Sequence, residues 1–370
     1  MSCPGNSPLH TFTALPKSLI TLLAPRRTPA VLAPNGNSNT SLSIFTSTGF
    51  QQLSNTVYST IIQKLRPDIC IPLADIAYGT EPGAKRILKM ADRTEEWVSQ
   101  LLDECDHQAV FAPILPIDFV NQSDYVNFLD EQADRIAGLA LYDANLLPDI
   151  PATTALSRLP RLSLDEPASP HHILRQIALG MDIFTVPFVG FATDAGIALT
   201  FVFPRPAAED VLKESGLNVA PLGMNMWSPS HATSTVPIIP QCTCYTCTSH
   251  HIAFIQHLLS AKEMLGWVLI QIHNHHVLSE FFEAIRESIK NDTFQADSDE
   301  FAKFYESELP AKSGQGPRVR GYHYKSEAAQ PKRNKKAWTG GLDEQMDSEL
   351  VPDKDALELE EQGFAEKIVD

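Results

Sequence analysis

Three cysteines lie within six positions of one another, and this grouping is typical of a metal site. Cys242, Cys244 and Cys247 form a C-x-C-x2-C motif. Structural Zn²⁺ takes four Cys or His ligands in a tetrahedron, and one tight loop can supply three of them. The alternative is a chance grouping of buried thiols, which half of the chain's six cysteines in so short a stretch argues against. We therefore predict a closed, structural zinc site with one ion per chain.

The fourth ligand of this site must come from another part of the chain. His273 directly follows the apolar run WVLIQI and could face back toward the cysteine loop. Spacing alone does not exclude other nearby histidines as the fourth ligand, although most histidines lie on a surface or a helix face. These alternatives are His250, His251, His257, His275 and His276.

The charge of the chain is acidic overall and unevenly distributed. The formal net charge is −16, yet the segment 317–336 is strongly basic. An acidic body argues against a protein that wraps nucleic acid alone, because neutralisation of phosphates supplies most non-specific affinity. The acidic net charge does not exclude a local basic patch or a basic partner.

The cysteine pattern and the N-terminus favour a reducing, intracellular compartment. Clustered cysteines indicate metal binding, not a disulfide framework. The first 25 residues lack the basic start and apolar run of a signal peptide. No apolar stretch reaches the roughly 18 residues that a membrane span needs.

Short apolar runs alternate with amphipathic segments between about residues 69 and 203. The predicted strands are 70–76, 110–116, 137–143, 159–165, 182–188 and 197–203. The predicted helices are 92–104, 123–137 and a third that follows the cap Ser169 and Pro170. This alternation predicts a parallel sheet with right-handed crossovers, in a (β/α)8 barrel or an open doubly wound fold. No G-x-G-x-x-G follows a strand, which argues against dinucleotide binding.

The composition changes after residue 203. Residues 204–241 are rich in Pro, Ser, Thr and Asn, residues 249–290 have a helical pattern, and residues 311–370 have the composition of a disordered tail. We expect four segments: a degenerate N-terminal part of the barrel, the βα units, a zinc-binding subdomain with closing helices, and a largely disordered charged tail. Their bounds are 1–65, 66–203, 204–290 and 291–370.

The region around the cysteines resembles the tRNA-guanine transglycosylases. In residues 242–288 the C-x-C-x2-C motif, the helix HLLSAKEMLG, the pair His273–Asn274 and the closing IRES all fall in register with that family. This register selects His273 as the fourth ligand. A weaker resemblance extends back to about residue 66. It implies a (β/α)8 barrel with a zinc subdomain, abbreviated here at the N-terminus because only about 65 residues precede PDICIPLADI.

The resemblance also implies a chemistry, and one residue departs from it. These enzymes exchange a guanine of tRNA through an aspartate that attacks the ribose C1′. In the segment 178–201, Thr185 occupies the position of that nucleophile. A neutral hydroxyl without an adjacent base is a poor nucleophile. Asp182 matches a non-catalytic aspartate of the family, so we interpret it as structural.

Two further departures point the same way. The stretch VGFATDAG at 189–196 lacks the arginines with which catalytic members hold the anticodon loop, and the base-pocket signature D-S-G-G-F-Q appears only as TSTGFQ at 46–51. The zinc ligands are all present. This combination, together with MNMWSPSHAT at 224–233, resembles a non-catalytic subunit of the family.

Such a subunit implies defined partners. The resemblance implies a heterodimer, formed through the zinc region, with a catalytic queuine tRNA-ribosyltransferase subunit. That complex exchanges guanine for queuine at wobble position 34 of the GUN-anticodon tRNAs for Asp, Asn, His and Tyr. The non-catalytic subunit would support partner stability and tRNA binding, with tRNA reached through the complex. The expected location is the cytoplasm, with peripheral association at the mitochondrial outer membrane as a further expectation from the family.

Two other functions remain open at this point. One is an active base-exchange enzyme with a displaced nucleophile, Asp182 or Asp194. The other is a zinc-stabilised interaction protein outside tRNA modification. The basic stretch 317–336, with Tyr322 and Tyr324 interleaved, could contact tRNA phosphates. A solvated linker or a nuclear-localisation-like run is the interpretation we favour for it.

Overall fold

Six parallel strands, paired in their order along the chain, form the main sheet of the computed structural model. The structure describes residues 7–28, 30, 31, 33, 36–46, 48–78, 81–104, 109–205 and 219–317. The strands of this sheet are β1 Leu22–Leu23, β4 Ile69–Cys70, β5 Ala109–Ile114, β6 Gly138–Leu141, β7 Arg161–Ser163 and β8 Ile183–Phe184. The α/β prediction with a parallel sheet is confirmed, and β1 and β8 are the two edges of this sheet within the described residues.

The remaining strands form two antiparallel pairs. They are β2 Ser41–Thr46 with β3 Gly49–Ser54, and β9 Ile197–Leu199 with β10 Gly223–Asn225. The degenerate base-pocket motif TSTGFQ thus lies at the turn of a β-hairpin, where Thr46 pairs with Gly49. Gly49 has a φ of +103°, a conformation that glycine adopts without strain.

Ten α-helices surround these strands in the described part of the chain. They are α1 Pro8–Thr13, α2 Asn55–Leu65, α3 Ala84–Glu104, α4 Ser123–Glu131, α5 Pro170–Leu179, α6 Phe188–Asp194, α7 Tyr245–Ser249, α8 Ile252–Ser260, α9 Met264–Lys290 and α10 Phe294–Phe304. Short 3₁₀ helices cover Phe119–Gln122, Ala133–Arg135, Ala144–Asp149, Ala155–Arg158 and Pro229–His231. None of the described helices is long and apolar enough to cross a membrane.

The helices between the strands follow the amphipathic pattern of the sequence. In α3, the predicted face of Trp97, Leu101 and Leu102 is buried in the core beneath the sheet. The helix predicted at 123–137 is divided into α4 and a 3₁₀ turn. The third helix, α5, begins after Ser169 with Pro170 at its first turn as predicted, but the Ser169 side chain makes no capping hydrogen bond.

The strand predicted at 197–203 is shorter than expected and does not join the parallel sheet. Only Ile197–Leu199 form β9, and β9 pairs with β10 in antiparallel fashion. The other edge of β9 is occupied by side chains from α9, which hydrogen bond to its main chain. An apolar run alone could not reveal that a helix takes the place of a neighbouring strand.

Ordered structure continues past residue 290, where the sequence pattern placed the start of a charged tail. Helix α10 packs into an aromatic core, in which Phe301 lies with its ring centroid 6.2 Å from that of Phe201 and 5.9 Å from that of Phe203. Two phenylalanines, Phe301 and Phe304, are buried although the average composition of this segment is polar. Of the disordered tail predicted at 291–370 and the basic stretch predicted at 317–336, residues 318–370 lie outside the described residues.

A buried carboxylate holds the chain segment that leaves β4. Asp75 is fully buried and accepts hydrogen bonds from Arg86, Asn37 and Arg93, the last at 3.0 Å. Its own N–H donates to the Thr94 Oγ1 at 3.0 Å. Burial raises the pKa of the Asp75 carboxyl, but the hydrogen bonds from the two arginines and the asparagine outweigh it, and the net shift lowers the pKa. These bonds fix the exit of β4 against α3.

Replacement of this carboxylate should destabilise the fold. In Asp75→Asn the arginines keep their charges without a compensating anion, and we expect the free energy of unfolding to fall by about 3 kcal/mol. Urea unfolding measures the change. Because the pKa is lowered on folding, the stabilisation is present above the ordinary value of 3.8 and is lost as the pH falls through the folded-state pKa.

The matched control is a surface carboxylate on α3, the helix that carries Arg86 and Arg93. Asp103 pairs with Arg135 at 2.8 Å, and both side chains are largely exposed. Asp103→Asn should change the free energy of unfolding by less than about 1 kcal/mol. Equal effects of the two variants would contradict a structural role for the Asp75 network.

Candidate functional site

The three motif cysteines and one histidine converge on a common centre. Cys242, Cys244, Cys247 and His273 each present one potential ligand atom, and these atoms all lie within 4.8 Å of one another. The Sγ atoms lie 3.7, 3.6 and 3.4 Å from the His273 Nδ1, in sequence order. Metal–ligand bonds of about 2.3 Å to sulfur and about 2.0 Å to nitrogen at tetrahedral angles place S and N about 3.5 Å apart. The four residues can therefore hold one tetrahedral metal ion.

The cysteine loop is shaped by the start of a short helix. Cys244 occupies the N-cap of α7, and its Sγ accepts a hydrogen bond from the Cys247 N–H at 3.3 Å. The Thr246 hydroxyl donates to the Leu269 carbonyl at 2.7 Å, which fixes α7 against α9. The loop and the helix that carries the histidine are thus held together by direct protein contacts.

The histidine is oriented from its other ring nitrogen. His273 is fully buried, and its Nε2 lies 2.9 Å from the Leu199 carbonyl oxygen. This carbonyl can only accept, so the proton is on Nε2 and the Nδ1 lone pair faces the thiols. Burial lowers the pKa of His273 to about 4, so the imidazole is neutral, as a metal ligand must be.

The thiols need a cation in order to ionise together. Burial raises the pKa of the Cys242 thiol to about 12, and the neighbouring sulfurs act in the same direction. Burial also raises the pKa of Cys247. Thiolates are the metal-binding form, and a bound divalent ion supplies the charge that stabilises them. This donor set fits a closed site with no position left for a substrate.

The other candidate histidines lie outside the cluster of ligand atoms. His251 caps α8 by accepting from the Phe254 N–H at 3.1 Å, and the His250 ring stacks on Phe254 at 5.0 Å. His257 and His275 are exposed, and the His276 Nε2 lies 3.5 Å from the Thr243 hydroxyl and 3.9 Å from the Glu280 carboxylate. Within the described residues, only His273 faces the three cysteines.

Asn274 is a functional residue to which sequence analysis gave no role of its own. Its Oδ1 accepts from the Leu199 N–H at 2.8 Å, and its Nδ2 donates to the Thr193 hydroxyl and the Ile197 carbonyl, each at 3.0 Å. Together with His273, it satisfies both main-chain groups of Leu199. The signal was available, because a polar residue at the helical spacing of a buried face must find hydrogen-bond partners.

The residue that the family resemblance aligns with the nucleophile lies at the carboxyl end of a strand of the parallel sheet. Thr185 directly follows β8, and both its N–H and its hydroxyl donate to the Ser163 carbonyl, at 3.2 and 3.0 Å. Strand ends of this kind carry the catalytic groups of parallel barrels. Here the hydroxyl bonds a main-chain oxygen, so no general base activates it among the described residues.

The two alternative nucleophiles are not placed for that role. Asp182 precedes β8, at the amino end of the strand, and its carboxylate accepts from the Arg161 N–H at 2.9 Å. This supports the interpretation of Asp182 as structural. Asp194 is the exposed last residue of α6, not a strand-end residue.

The segments with other family-like patterns also have structural roles. VGFATDAG forms α6 and the turn at Gly196, where an added Cβ would come within 2.3 Å of the Trp227 Nε1. Trp227, from the segment MNMWSPSHAT, donates from this nitrogen to the Ala195 carbonyl at 3.1 Å. These contacts position β9 and β10 beside α9.

Comparisons with known proteins agree with the geometry. The family model described as queuine tRNA-ribosyltransferase matches residues 5–307. A Schizosaccharomyces pombe protein named queuine tRNA-ribosyltransferase accessory subunit 2 is 37% identical over 364 residues, which are 95% of this chain and 79% of the relative. The protein of that name from Anopheles gambiae is 30% identical, over 68% of this chain and 62% of its own length. The one from Drosophila melanogaster is 28% identical, over 78% and 71%.

Two histidines of α9 provide a matched test of the metal centre. His273→Gln removes the ligand nitrogen and should lower the metal content measured by mass spectrometry from about one ion per chain to a small fraction of that. His275→Gln, at an exposed position two residues further along the same helix, should leave it unchanged. Full metal content in the His273 variant would contradict the assignment.

Proposed function

Because this chain belongs to the queuine tRNA-ribosyltransferase family, we propose that it is the non-catalytic subunit of a heterodimeric enzyme of that kind. The complex exchanges guanine for queuine at wobble position 34 of tRNAs with GUN anticodons. The observation that carries the proposal concerns Thr185, which the family register aligns with the nucleophilic carboxylate: its hydroxyl donates a hydrogen bond to the Ser163 carbonyl. The names of the relatives support the accessory role.

The acids at the carboxyl edge of the sheet give further support. Asp75, beyond the end of β4, is neutralised by Arg86 and Arg93. Asp165, beyond the end of β7, accepts from the Ala144 N–H at 3.1 Å. A nucleophilic carboxylate must be accessible and directed at the sugar, and these two are committed to the protein itself.

The proposed scaffold is a (β/α)8-type barrel with a zinc-binding subdomain. Six parallel strands, paired in their order along the chain, and their crossovers support the barrel, abbreviated at its N-terminus. The Cys3His geometry supports structural Zn²⁺ as the occupant of the metal centre. Zinc bound by four protein ligands takes no part in the reaction. It links the cysteine loop to α9 and thereby stabilises the surface beside it.

The pairing surface in this proposal is an apolar stripe on α9. Met264, Leu265, Val268 and Ile272 are 52%, 46%, 45% and 38% exposed. They lie on one side of the helix, opposite the side that buries Trp267, Ile270 and the ligand His273. We define these four residues as the α9 stripe. A row of apolar side chains beside the metal centre fits a catalytic subunit as partner, because water-exposed apolar rows of this kind mark protein interfaces.

The remaining parts of the proposal concern tRNA and location. The subunit reaches tRNA through the complex and supports the stability of its partner. It works in the cytoplasm, with peripheral association at the mitochondrial outer membrane. Location rests on family resemblance alone.

An assay of base exchange distinguishes a non-catalytic subunit from an active enzyme. The purified chain alone should incorporate no labelled guanine into tRNA, and the complex with the catalytic subunit should do so. Thr185→Val in the complex should leave kcat within about twofold, because a residue outside the chemistry contributes nothing to transition-state binding. Exchange by the lone chain, or a large loss of kcat in the Thr185 variant, would contradict the proposal.

The α9 stripe can be tested independently of the metal. Val268→Glu places an unpaired charge in the proposed interface and should weaken the affinity for the catalytic subunit about tenfold or more, measured by calorimetry. Ser279→Glu, on the same exposed side of α9 but beyond the stripe, should change it by less than about twofold. Both variants should keep their metal. Unchanged pairing of the Val268 variant would exclude the stripe, and failure of the wild-type chain to pair would favour an interaction protein outside tRNA modification.

A further inference from the structure

A cavity lies at the carboxyl edge of the parallel sheet, among residues that each follow a different strand. It has a volume of about 480 Å³, which falls within the range of small-molecule sites. Ala24, Pro116, Tyr142 and Leu164 line it just beyond β1, β5, β6 and β7. Strand carboxyl ends in parallel sheets are the usual position of ligand sites. The proposed function makes no use of this cavity.

One arginine in the cavity wall has two hydrogen-bond donors without an acceptor. The Nε and Nη2 atoms of Arg26 are shielded from water and have no hydrogen-bond partner in the part of the chain that the structure describes. These two atoms form one side of the guanidinium fork, the side that binds two oxygens of a carboxylate or phosphate at once. Leaving a buried donor unpaired is costly, so such a pair indicates a missing acceptor.

The ring beneath this arginine keeps the guanidinium in place. The Cζ of Arg26 lies 5.1 Å from the centroid of the Tyr78 ring, within the range of a cation–π contact. Tyr78 thus packs against the flat face of the guanidinium, and Arg26 and Tyr78 both line the cavity. Burial raises the pKa of both Tyr78 and Tyr142, so their hydroxyls stay protonated and can also donate hydrogen bonds.

The acids of the cavity already have partners of their own. Glu166 accepts a hydrogen bond from the main chain at Ala30, and Asp165 accepts from the Ala144 N–H. Burial raises the pKa of the Glu166 carboxyl, and the Asp165 charge acts in the same direction. No described carboxylate forms an ion pair with Arg26. The positive charge of Arg26 is therefore left for a ligand to neutralise.

We propose that this cavity binds an oxyanion, a phosphate or carboxylate group, through the Nε and Nη2 of Arg26. The group belongs either to a small molecule free in solution or to a nucleic-acid backbone. The site uses none of the metal ligands and none of the α9 stripe. It can therefore exist whether or not the chain is an accessory subunit.

The test is calorimetric titration of the full-length chain with inorganic phosphate, AMP and adenosine at constant ionic strength. Phosphate and AMP should bind, and adenosine, which carries the ring without the oxyanion, should bind at least about tenfold more weakly than AMP. Equal affinities for AMP and adenosine, or no binding of either anion, would overturn the proposal. Displacement of bound phosphate by tRNA would show that the oxyanion belongs to a nucleic-acid backbone. If tRNA does not displace phosphate, the ligand is a small molecule free in solution.

Arginine variants assign the binding to the fork. Arg26→Met should weaken AMP binding about tenfold or more. Arg26→Lys, which keeps the charge but not the two parallel donors, should weaken it as well. Arg135→Gln, at an exposed arginine of the surface pair with Asp103, should have no effect. Wild-type affinity in both Arg26 variants would overturn the assignment, and the lysine variant decides the matter if the methionine variant does not fold.

Stability without ligand distinguishes a binding residue from a structural one. Methionine keeps the length of the side chain and removes two unpaired buried donors, so the Tm of Arg26→Met in anion-free buffer should equal or exceed that of the wild type. A much lower Tm would mean that Arg26 serves the fold, and would contradict the proposal.

Discussion

The contact between α9 and Leu199 is the interaction on which the arrangement of this chain depends. Two consecutive side chains, His273 and Asn274, bind the carbonyl and the N–H of the same residue. They occupy the edge of β9 where a further strand would otherwise pair. The same histidine directs its other nitrogen at the three cysteines. One main-chain residue therefore links the metal centre, the β9–β10 pair and the longest helix.

What could be predicted from the sequence depends on how local each signal is. The three cysteines are neighbours in the chain, so their convergence on one centre was predicted correctly. The buried face of α3 was also predicted correctly, because it follows from helical spacing. The fourth ligand could be chosen only by family register, because the 25 residues between Cys247 and His273 say nothing about which histidine turns inward. The pairing of β9 with β10 and the burial of α10 depend on tertiary contacts, which a local sequence pattern does not predict.

The carboxyl edge of the sheet has a chemical character opposite to the one that base exchange requires. The family's reaction needs an accessible anion there. In the described residues, arginines or main-chain N–H groups bind the acids at this edge. The polar groups of the cavity that remain to meet a ligand are hydrogen-bond donors, namely the fork of Arg26 and the hydroxyls of Tyr78 and Tyr142. An edge of this kind attracts oxygen-rich ligands and cannot itself attack a sugar carbon.

Helix α10 has a consequence for the order in which the protein is made. Its Phe301 packs against Phe201 and Phe203, about a hundred residues earlier in the chain, and the Ala220 N–H donates to the Phe304 carbonyl. On the ribosome, the aromatic core therefore stays incomplete until α10 has left the exit tunnel. The cysteine loop and His273 emerge before that point. The metal can thus be captured before α10 completes the aromatic core.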